Sequence, residues 1–454
     1  MKKKILLGIS PILMMASTIS FEQALKEAYE NNNELKAKKL TIEMAKTNVE
    51  KAKSYDWGRL YFEEKASKSN DVSVSAFGHG KSDNKFHYDS RINYEIYGFT
   101  GFKISEAKAM ANLQVKAKKY KFQRDKNKLG VEVLKAYNGV VAAKQFVEAL
   151  ESAKQTTSYF VHMTHDLYNQ GMIVYSDVLS AEKRDRDVDA KMIEARNKYK
   201  LALAYLRFLT GDNTITDVLD FKVVVSPNSN LVKLQEMALK NRNDLKEMHI
   251  NVITMKHNVK MNEHIKYPTI GLHADYGIAD HNRKNDTHTY GAGLRYYFMN
   301  MEDTQVLQYS KIQAHQVALY EKYMTDGIKL DVQKKYLTLK EKTALIDAKL
   351  KNKEASRDIL DKYKDMYRNG LVNIAILLMK QTESQVADAE LIKAKYDQAI
   401  AAAELKLAIG SPVESHEKVY REPDLTKRDD KTLNKYIEKK RMRVTDDTVD
   451  EDEE

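Results

Sequence analysis

The sequence predicts a mainly α-helical protein that contains two copies of one unit, each with long helices paired lengthwise and one β-hairpin. Three observations predict this fold class. Apolar residues recur in alternating steps of four and three, two pairs of segments alternate apolar and polar residues, and proline is absent between Pro11 and Pro227 and between Pro268 and Pro412. Because proline breaks helix interiors, these two gaps leave room for very long helices.

Composition excludes several classes of protein. The chain has 454 residues, of which 31% are charged, with five prolines and no cysteine. These counts exclude disulfide scaffolds, cysteine-ligated metal sites, cysteine nucleophiles and proline-rich disorder. The net charge is +10, but both signs are abundant and mixed along the chain. Such mixing is typical of solvated helix faces, so we expect no nucleic-acid partner.

The first 20 residues resemble a secretory signal peptide. Three lysines precede an apolar run from Ile5 to Met15, and small residues follow from Ala16 to Ser20. This order of charged, apolar and small residues is typical of exported proteins. The apolar run is shorter than the ~20 residues that span a bilayer. The alternative is a buried N-terminal helix. No other long apolar run occurs, so no transmembrane helix is predicted.

Two apolar seams predict coiled-coil pairing of the long helices. The first seam is Leu129, Val133, Ala136, Val140, Ala143, Val147 and Leu150. The second seam is Val188, Met192, Ala195, Tyr199, Ala202, Leu206 and Leu209. We expect one helix from Ser105 to about Tyr168 and a similar one from Glu302 to about Tyr367. Each would be roughly 95 Å long.

The chain is a duplication. Tyr168 and Gly171 align with Tyr367 and Gly370 at an offset of 199 residues. Closer to the N-terminus the offset is 210, and the aligned positions are Ala28, Asn31 and Leu35 with Ala238, Asn241 and Leu245. The predicted segments are a signal peptide at 1–20, a first repeat at 21–226, a second repeat at 227–412 and a charged tail at 413–454. The tail is expected to be disordered or to lie on the surface.

Each repeat is interrupted by one predicted β-hairpin, at about 71–99 and about 268–299. The strands have one apolar face, one polar face and aromatic residues near their ends, which is typical of transmembrane barrel strands. An amphipathic hairpin on a soluble sheet would alternate in the same way. Open strand edges are not tolerated in lipid, and barrels begin at about eight strands. Four strands from one chain therefore predict a barrel shared by several chains.

Several motifs resemble the TolC family of outer-membrane efflux proteins. They are the segment Phe21 to Ala28 followed by Asn31 to Leu35, the pair Tyr168 and Gly171 leading to Ser176 to Glu182, and the segment Leu201 to Gly211 echoed by Ala403 to Gly410. Their order and duplication cover about residues 21–412.

The resemblance implies a homotrimer in the outer membrane of a Gram-negative bacterium. Twelve strands would form one barrel in outer-membrane lipid, continuous with a periplasmic α-helical tunnel. Such proteins are passive exit ducts of tripartite efflux pumps or type I secretion systems. Their partners are a periplasmic adaptor, or membrane fusion, protein and an inner-membrane pump or ABC transporter. The cargo is a drug, a metal or a polypeptide. The resemblance implies no enzyme activity, catalytic residue, cofactor or metal site.

The resemblance places the working end at two helix turns. These run from Tyr168 to Asp177 and from Tyr367 to Ile376, with Gly171 and Gly370 at helix-ending positions that favour positive φ. Acidic residues after the second turn close the entrance in well-known relatives. This chain has Ile376 and apolar neighbours there, and Asp177 is the acid that remains. We therefore expect a hydrophobic constriction; the alternative is that these side chains only pack.

Two further interpretations stay open at this stage. A periplasmic coiled-coil structural or adaptor protein without a membrane barrel would share the helices and hairpins. His162 and His165 are spaced as on one helix face, but no further metal ligand is fixed by the sequence. Other histidines fall in or near the hairpin loops, at His79, His87, His273, His281 and His288.

Overall fold

The first repeat is a helix pair, a β-hairpin and a long helical hairpin. This computed structural model describes residues 17–74, 80–219, 230–280 and 284–412, which all belong to one structural unit. The elements in order are β1 Ser17–Ile19, α1 Phe21–Asn31, α2 Asn33–Ser54, β2 Arg59–Val74, β3 Gly80–Thr100, α3 Lys103–Asn169, α4 Tyr175–Thr210 and β4 Ile215–Val218.

The second repeat has the same order of elements. They are α5 Leu231–Asn241, α6 Asn243–Asn262, β5 Thr269–Asp280, β6 Lys284–Arg295, α7 Met301–Arg368 and α8 Ile374–Ala408. Matched helices have nearly equal lengths: α1 and α5 have 11 residues each, and α3 and α7 have 67 and 68. The predicted boundary at 226/227 and the tail at 413–454 lie outside the described residues, as does most of the signal peptide.

Apolar seams hold the long helices together as predicted. In α3, Val133 and Val140 are fully buried, and in α4 the same is true of Val188 and Leu206.

The ends of the helices have residues that are typical of helix termini. Asn32 caps the N-terminus of α2 by accepting a hydrogen bond from the amide of Leu35, as short polar side chains do at helix starts. At the end of α4, Gly211 has a φ of 70°, which glycine adopts without strain.

One antiparallel sheet joins the two repeats in the strand order β2-β3-β5-β6. The first hairpin begins at Arg59, so the expected start near 71 is wrong; β2 has 16 residues and β3 has 21. The prediction missed this stretch because charges interrupt its local pattern. Those charges face opposite charges on the next strand: Glu63 lies opposite Arg91 and Lys65 opposite Asp89. The ion pairs form along each strand, Lys65 with Glu63 at 3.0 Å and Arg91 with Asp89 at 2.6 Å.

The sheet has one apolar and one polar face. Leu60, opposite Tyr94, and Phe62, opposite Ile92, continue the apolar rows of β5 and β6. On this face large side chains are exposed, and Leu60 is 73% accessible. On the other face Arg91 donates to Asp89 at 2.6 Å and to Asp275 of β5 at 3.4 Å. Alternation therefore sorts apolar and charged residues to opposite sides of one sheet.

A second, two-stranded sheet was not predicted. β1 pairs in parallel with β4, and the hydroxyl of Tyr137 lies 3.0 Å from the carbonyl oxygen of Ile19 and 2.7 Å from that of Leu219. Ser20 then caps α1 in a capping box with Gln23. Residues 17–20, which the predicted signal peptide at 1–20 includes, thus take part in β1 and in the cap of α1.

Among the helices that the structure describes, none has both the length and the apolar character that a bilayer crossing requires.

Candidate functional site

The two turns that join the long helices have the same backbone geometry. In the first turn, Gly171 has a φ of 71° and its amide donates to the carbonyl of Tyr168 at 2.9 Å. In the second, Gly370 has a φ of 70° and its amide donates to the carbonyl of Tyr367 at 3.0 Å. In each turn the next amide bonds back to the final helical turn, which completes the Schellman pattern. The glycine positions predicted from the sequence thus end both helices.

The helices that leave the turns start differently. Asn373 caps α8, where its side chain accepts from the amide of Ile376 at 3.0 Å. In α4 the capping position is Val174, which offers no side-chain oxygen, and the amide of Asp177 donates to its backbone carbonyl at 3.0 Å. The first turn of α8 contains no acid, whereas that of α4 contains Asp177.

The helix ends on either side of the second turn pack against α3, although Gly370 and Leu371 within the turn are exposed. Tyr367 of α7 is 4% exposed and lies in an apolar cluster with Phe160 and Met163 of α3 and with Ile374 and Leu377 of α8. Burial and the negative charge of Asp177 raise the pKa of Tyr367 to about 12. The equivalent Tyr168 is 41% exposed, and its ring lies 5.4 Å from that of Tyr175. The structure therefore brings Tyr367 near Asp177 and leaves Tyr168 on the surface.

Two arginines connect the helical hairpin α3–α4 to the helical hairpin α7–α8 through uncharged partners. Arg368 of α7 donates to the hydroxyl of Tyr159 on α3, from Nε at 3.0 Å and also from Nη2. Arg184 of α4 donates from Nε to Oε1 of Gln381 at 2.8 Å and from Nη2 to Oε1 of Gln385 at 2.9 Å. Burial lowers the pKa of Arg184. Neither contact has a local signal in the sequence, because the partners lie about 200 residues apart.

The seam beside Arg184 is polar and incompletely filled. A cleft of about 230 Å³ lies between α3, α7 and α8, and Ser152, Thr156, Ser384 and Gln385 are among its lining residues. Oε1 of Gln385 is bonded to Arg184, but its Nε2 is buried without a partner among the described residues.

Ion pairs also connect the two helical hairpins farther from the turns. Glu404 of α8 accepts from Lys135 of α3 at 2.7 Å and from Lys335 of α7 at 2.6 Å. Burial raises the pKa of this carboxyl, but the hydrogen bonds from the two lysines outweigh burial and lower it. Glu404 is thus an ionised bridge between three helices.

The candidate histidine ligands whose side chains the structure describes do not converge on a common site. Nε2 of His165 lies 3.1 Å from Oε1 of Glu182, which accounts for this side chain by an ordinary contact. Among the side chains that the structure describes, at residues 18–68, 88–219, 230–278 and 286–412, no group of three or more His, Asp or Glu is arranged to hold a metal ion. The side chains of His79, His87 and His281 lie outside these ranges.

Comparison with known proteins gives matches in both repeats. The sequence model of the family described as "Outer membrane efflux protein" matches residues 24–212 and 234–411. Alkaline protease secretion protein AprF of Pseudomonas aeruginosa is 23% identical over 305 residues. That match covers 64% of this chain and 63% of AprF, so the chain spans less than two thirds of that relative's length.

Solved structures resemble the fold over most of the chain. The CmeC outer membrane channel of Campylobacter jejuni has a TM-score of 0.74 at 14% identity, covering 88% of this chain and 87% of CmeC. The outer membrane protein VceC of Vibrio cholerae has a TM-score of 0.72 at 14% identity, covering 87% of this chain and 97% of VceC. At such identities the likeness shows a shared fold.

Proposed function

Since the chain belongs to the outer membrane efflux protein family, we propose that it is an outer-membrane exit duct that passively conducts substrates out of the cell. The family match in both repeats carries this proposal, and it confirms the resemblance predicted from the sequence. The two-faced sheet supports it, because exposed apolar rows suit lipid while the opposite face pairs charges. A soluble coiled-coil rod gives no reason for the exposed apolar face.

The proposal includes a homotrimer. The four-stranded sheet ends in β2 and β6, and strand edges cannot stay open in lipid. These edge strands run in opposite directions, so β6 of one copy can pair with β2 of the next in the same antiparallel pattern. Three copies would then form a 12-stranded barrel, with α3, α4, α7 and α8 as the wall of a periplasmic tunnel.

Exposed aromatic residues at the junctions of strands and helices mark the periplasmic edge of this barrel. Trp57 precedes β2, Phe102 follows β3, Tyr267 precedes β5 and Phe298 follows β6; their exposed fractions run from 43% to 95%. Phe102 and Tyr267 have ring centroids 5.2 Å apart. Aromatic side chains prefer the interface between lipid and water, so these four positions would lie at one membrane surface.

Partners follow from the proposed role. A passive duct needs an energised transporter, so we expect an inner-membrane pump or ABC transporter and a periplasmic adaptor protein that joins it to the helical tunnel. The name of AprF refers to protease secretion, and CmeC is described as a channel; the cargo of this chain is a drug, a metal or a polypeptide. No catalytic step, cofactor or metal is part of the proposal.

The gate of the proposed duct is a hydrophobic constriction at the second turn. Ile376 is half-buried at the start of α8, next to the buried Leu377, and no acid lies in that first helical turn. Apolar rings can close a pore by excluding water. Single-channel conductance tests this role. Ile376→Asp should open the constriction and Asp177→Ala should alter ion preference; unchanged channels from both variants would remove the gate from the proposal.

The duct itself is tested on the full-length protein extracted from outer membranes in detergent. Size-exclusion chromatography with light scattering should give three times the protomer mass, and the same peak should form small, steady channels in planar bilayers. A monomer or dimer that is soluble without detergent would mean that the apolar sheet face does not contact lipid, and the duct would be wrong.

A further inference from the structure

An open groove lies between α5, α6 and α7 of the second repeat. Its volume is about 430 Å³, which is within the range of small-molecule sites. Leu239, Leu245 and Ile250 supply apolar lining, and Tyr120 of α3 lines another part of the groove.

The corresponding place in the first repeat is filled by a tyrosine. Leu239 aligns with Tyr29 and Leu245 with Leu35 at the offset of 210 residues. The ammonium of Lys126 lies over the ring of Tyr29, 4.5 Å from the ring centroid. The hydroxyl of Tyr29 lies 2.5 Å from the point that a Cβ on residue 130, which is glycine, would occupy. Tyr29 thus fits because residue 130 is a glycine.

The second repeat has lost all three parts of this arrangement. Leucine replaces Tyr29 at Leu239, and at the offset of 199 residues Thr325 replaces Lys126 and Lys329 replaces Gly130. The neighbouring core is alike in the two repeats. Val332 is as fully buried as Val133, and Ala238 is as fully buried as Ala28. The groove is therefore an aromatic-sized space that the chain fills once and leaves open once.

The charge of the lining is positive. Lys246 and Lys322 line the groove, and neither forms an ion pair with the residues that the structure describes. Glu321, also in the lining, is bonded to Nδ1 of His249 at 2.9 Å. Two lysine ammonium groups thus remain available beside an apolar surface.

We propose that this groove binds a small aromatic molecule that carries a negatively charged group, such as an aryl carboxylate. The ring would take the place that the Tyr29 ring has in the first repeat, and Lys246 or Lys322 would supply the cation that Lys126 supplies there. The carboxylate would bond the remaining ammonium. Burial raises the pKa of Tyr29 to about 12.

Binding of 2-naphthoate to the full-length protein in detergent tests the proposal by isothermal titration calorimetry, with empty micelles as the blank. The wild type should bind one molecule per chain. Leu239→Phe fills the groove with a ring that lacks the hydroxyl, so it avoids Lys329 and should weaken binding more than about tenfold by steric exclusion. The matched variant Tyr29→Leu opens the first repeat and should raise the number of sites to two per chain.

A charge variant keeps the test independent of packing. Lys322→Gln should weaken 2-naphthoate about threefold, as expected for losing one exposed cation near the carboxylate. It should weaken the neutral 2-naphthamide by a smaller factor, because that ligand lacks the carboxylate. Wild-type binding no greater than to micelles, or wild-type affinity in both Leu239→Phe and Lys322→Gln, would overturn the proposal. A third outcome would be no ligand binding to the wild type together with loss of the trimer in Leu239→Phe. The groove would then hold a side chain of a second copy, and the ligand proposal would be overturned.

Discussion

The seam between the two helical hairpins depends on one arginine whose removal has a calculable effect. Arg184 provides hydrogen bonds from α4 to two glutamines of α8, and Gln381 is 2% exposed. Arg184→Met keeps much of the aliphatic volume and removes both donors. The amide oxygen of Gln381 then stays buried without a partner unless the hairpins separate and admit water.

The expected magnitude follows from this orphaned acceptor. A buried polar group that loses its partner costs about 1–3 kcal/mol. About 2 kcal/mol corresponds to a shift of roughly 30-fold in the equilibrium between joined and separated hairpins. Because the turns lie at the proposed entrance, the separated form should conduct more.

Single-channel recording in planar bilayers measures that shift as open probability. Arg184→Met should be open far more often than the wild type, whereas Gln385→Glu, which offers Arg184 a carboxylate, should be open less often. Arg196→Met is the matched control, because Arg196 also lies on α4 but bonds Glu151 within the same hairpin at 3.2 Å. Equal open probabilities for Arg184→Met, Arg196→Met and the wild type would refute the role of the seam.

Three other predictions concern stability and processing. Glu404→Gln should lower the thermal midpoint at pH 7. Since the folded-state pKa of Glu404 is lowered from 4.5, this carboxylate stabilises the fold above about pH 4.5. The difference in thermal midpoint from the wild type should therefore shrink as the pH falls below that value. Gly171→Ala and Gly370→Ala should each cost about 1 kcal/mol in denaturant titrations because both have positive φ; no atom lies within 4 Å of either added carbon, so markedly unequal losses would contradict a purely conformational cost. Mass spectrometry should find the mature N-terminus at Ser17 or earlier, since β1 begins there, and a chain starting at Phe21 would contradict this.

Helices were predictable from the sequence because their signals are local. The four-three spacing around Val133 and Val140 and the absence of proline are read within a few turns, and the ends fell within two residues of the expected positions at Ser105 and Tyr367. The start of β2 was not predictable in the same way. Glu63 and Lys65 break the local alternation, and their fit depends on Arg91 and Asp89 in the next strand.

The candidate site shows the same division between local and distant signals. Gly171 and Gly370 were predictable, because a glycine after a long apolar period is typical of a helix end. Arg184 was not, since a basic residue on a charged helix gives no sign of two glutamines near residue 383. The burial of Tyr367 beside an exposed Tyr168 was also hidden, because both follow the same motif and differ only in what packs on them.

This inequality of the two turns has a consequence for the proposed trimer. Within one chain Tyr367 beside the second turn is buried against α3, while Tyr168 and Tyr175 beside the first turn are 41% and 51% exposed. A ring of three copies would therefore contain two kinds of seam: one within each chain, which Arg184 spans, and one between chains, which Tyr168 and Tyr175 would face. Arg184→Met acts on the first kind alone, so its effect on conductance should persist when Tyr168 is replaced by alanine, and a coupled response would mean that the two seams open together.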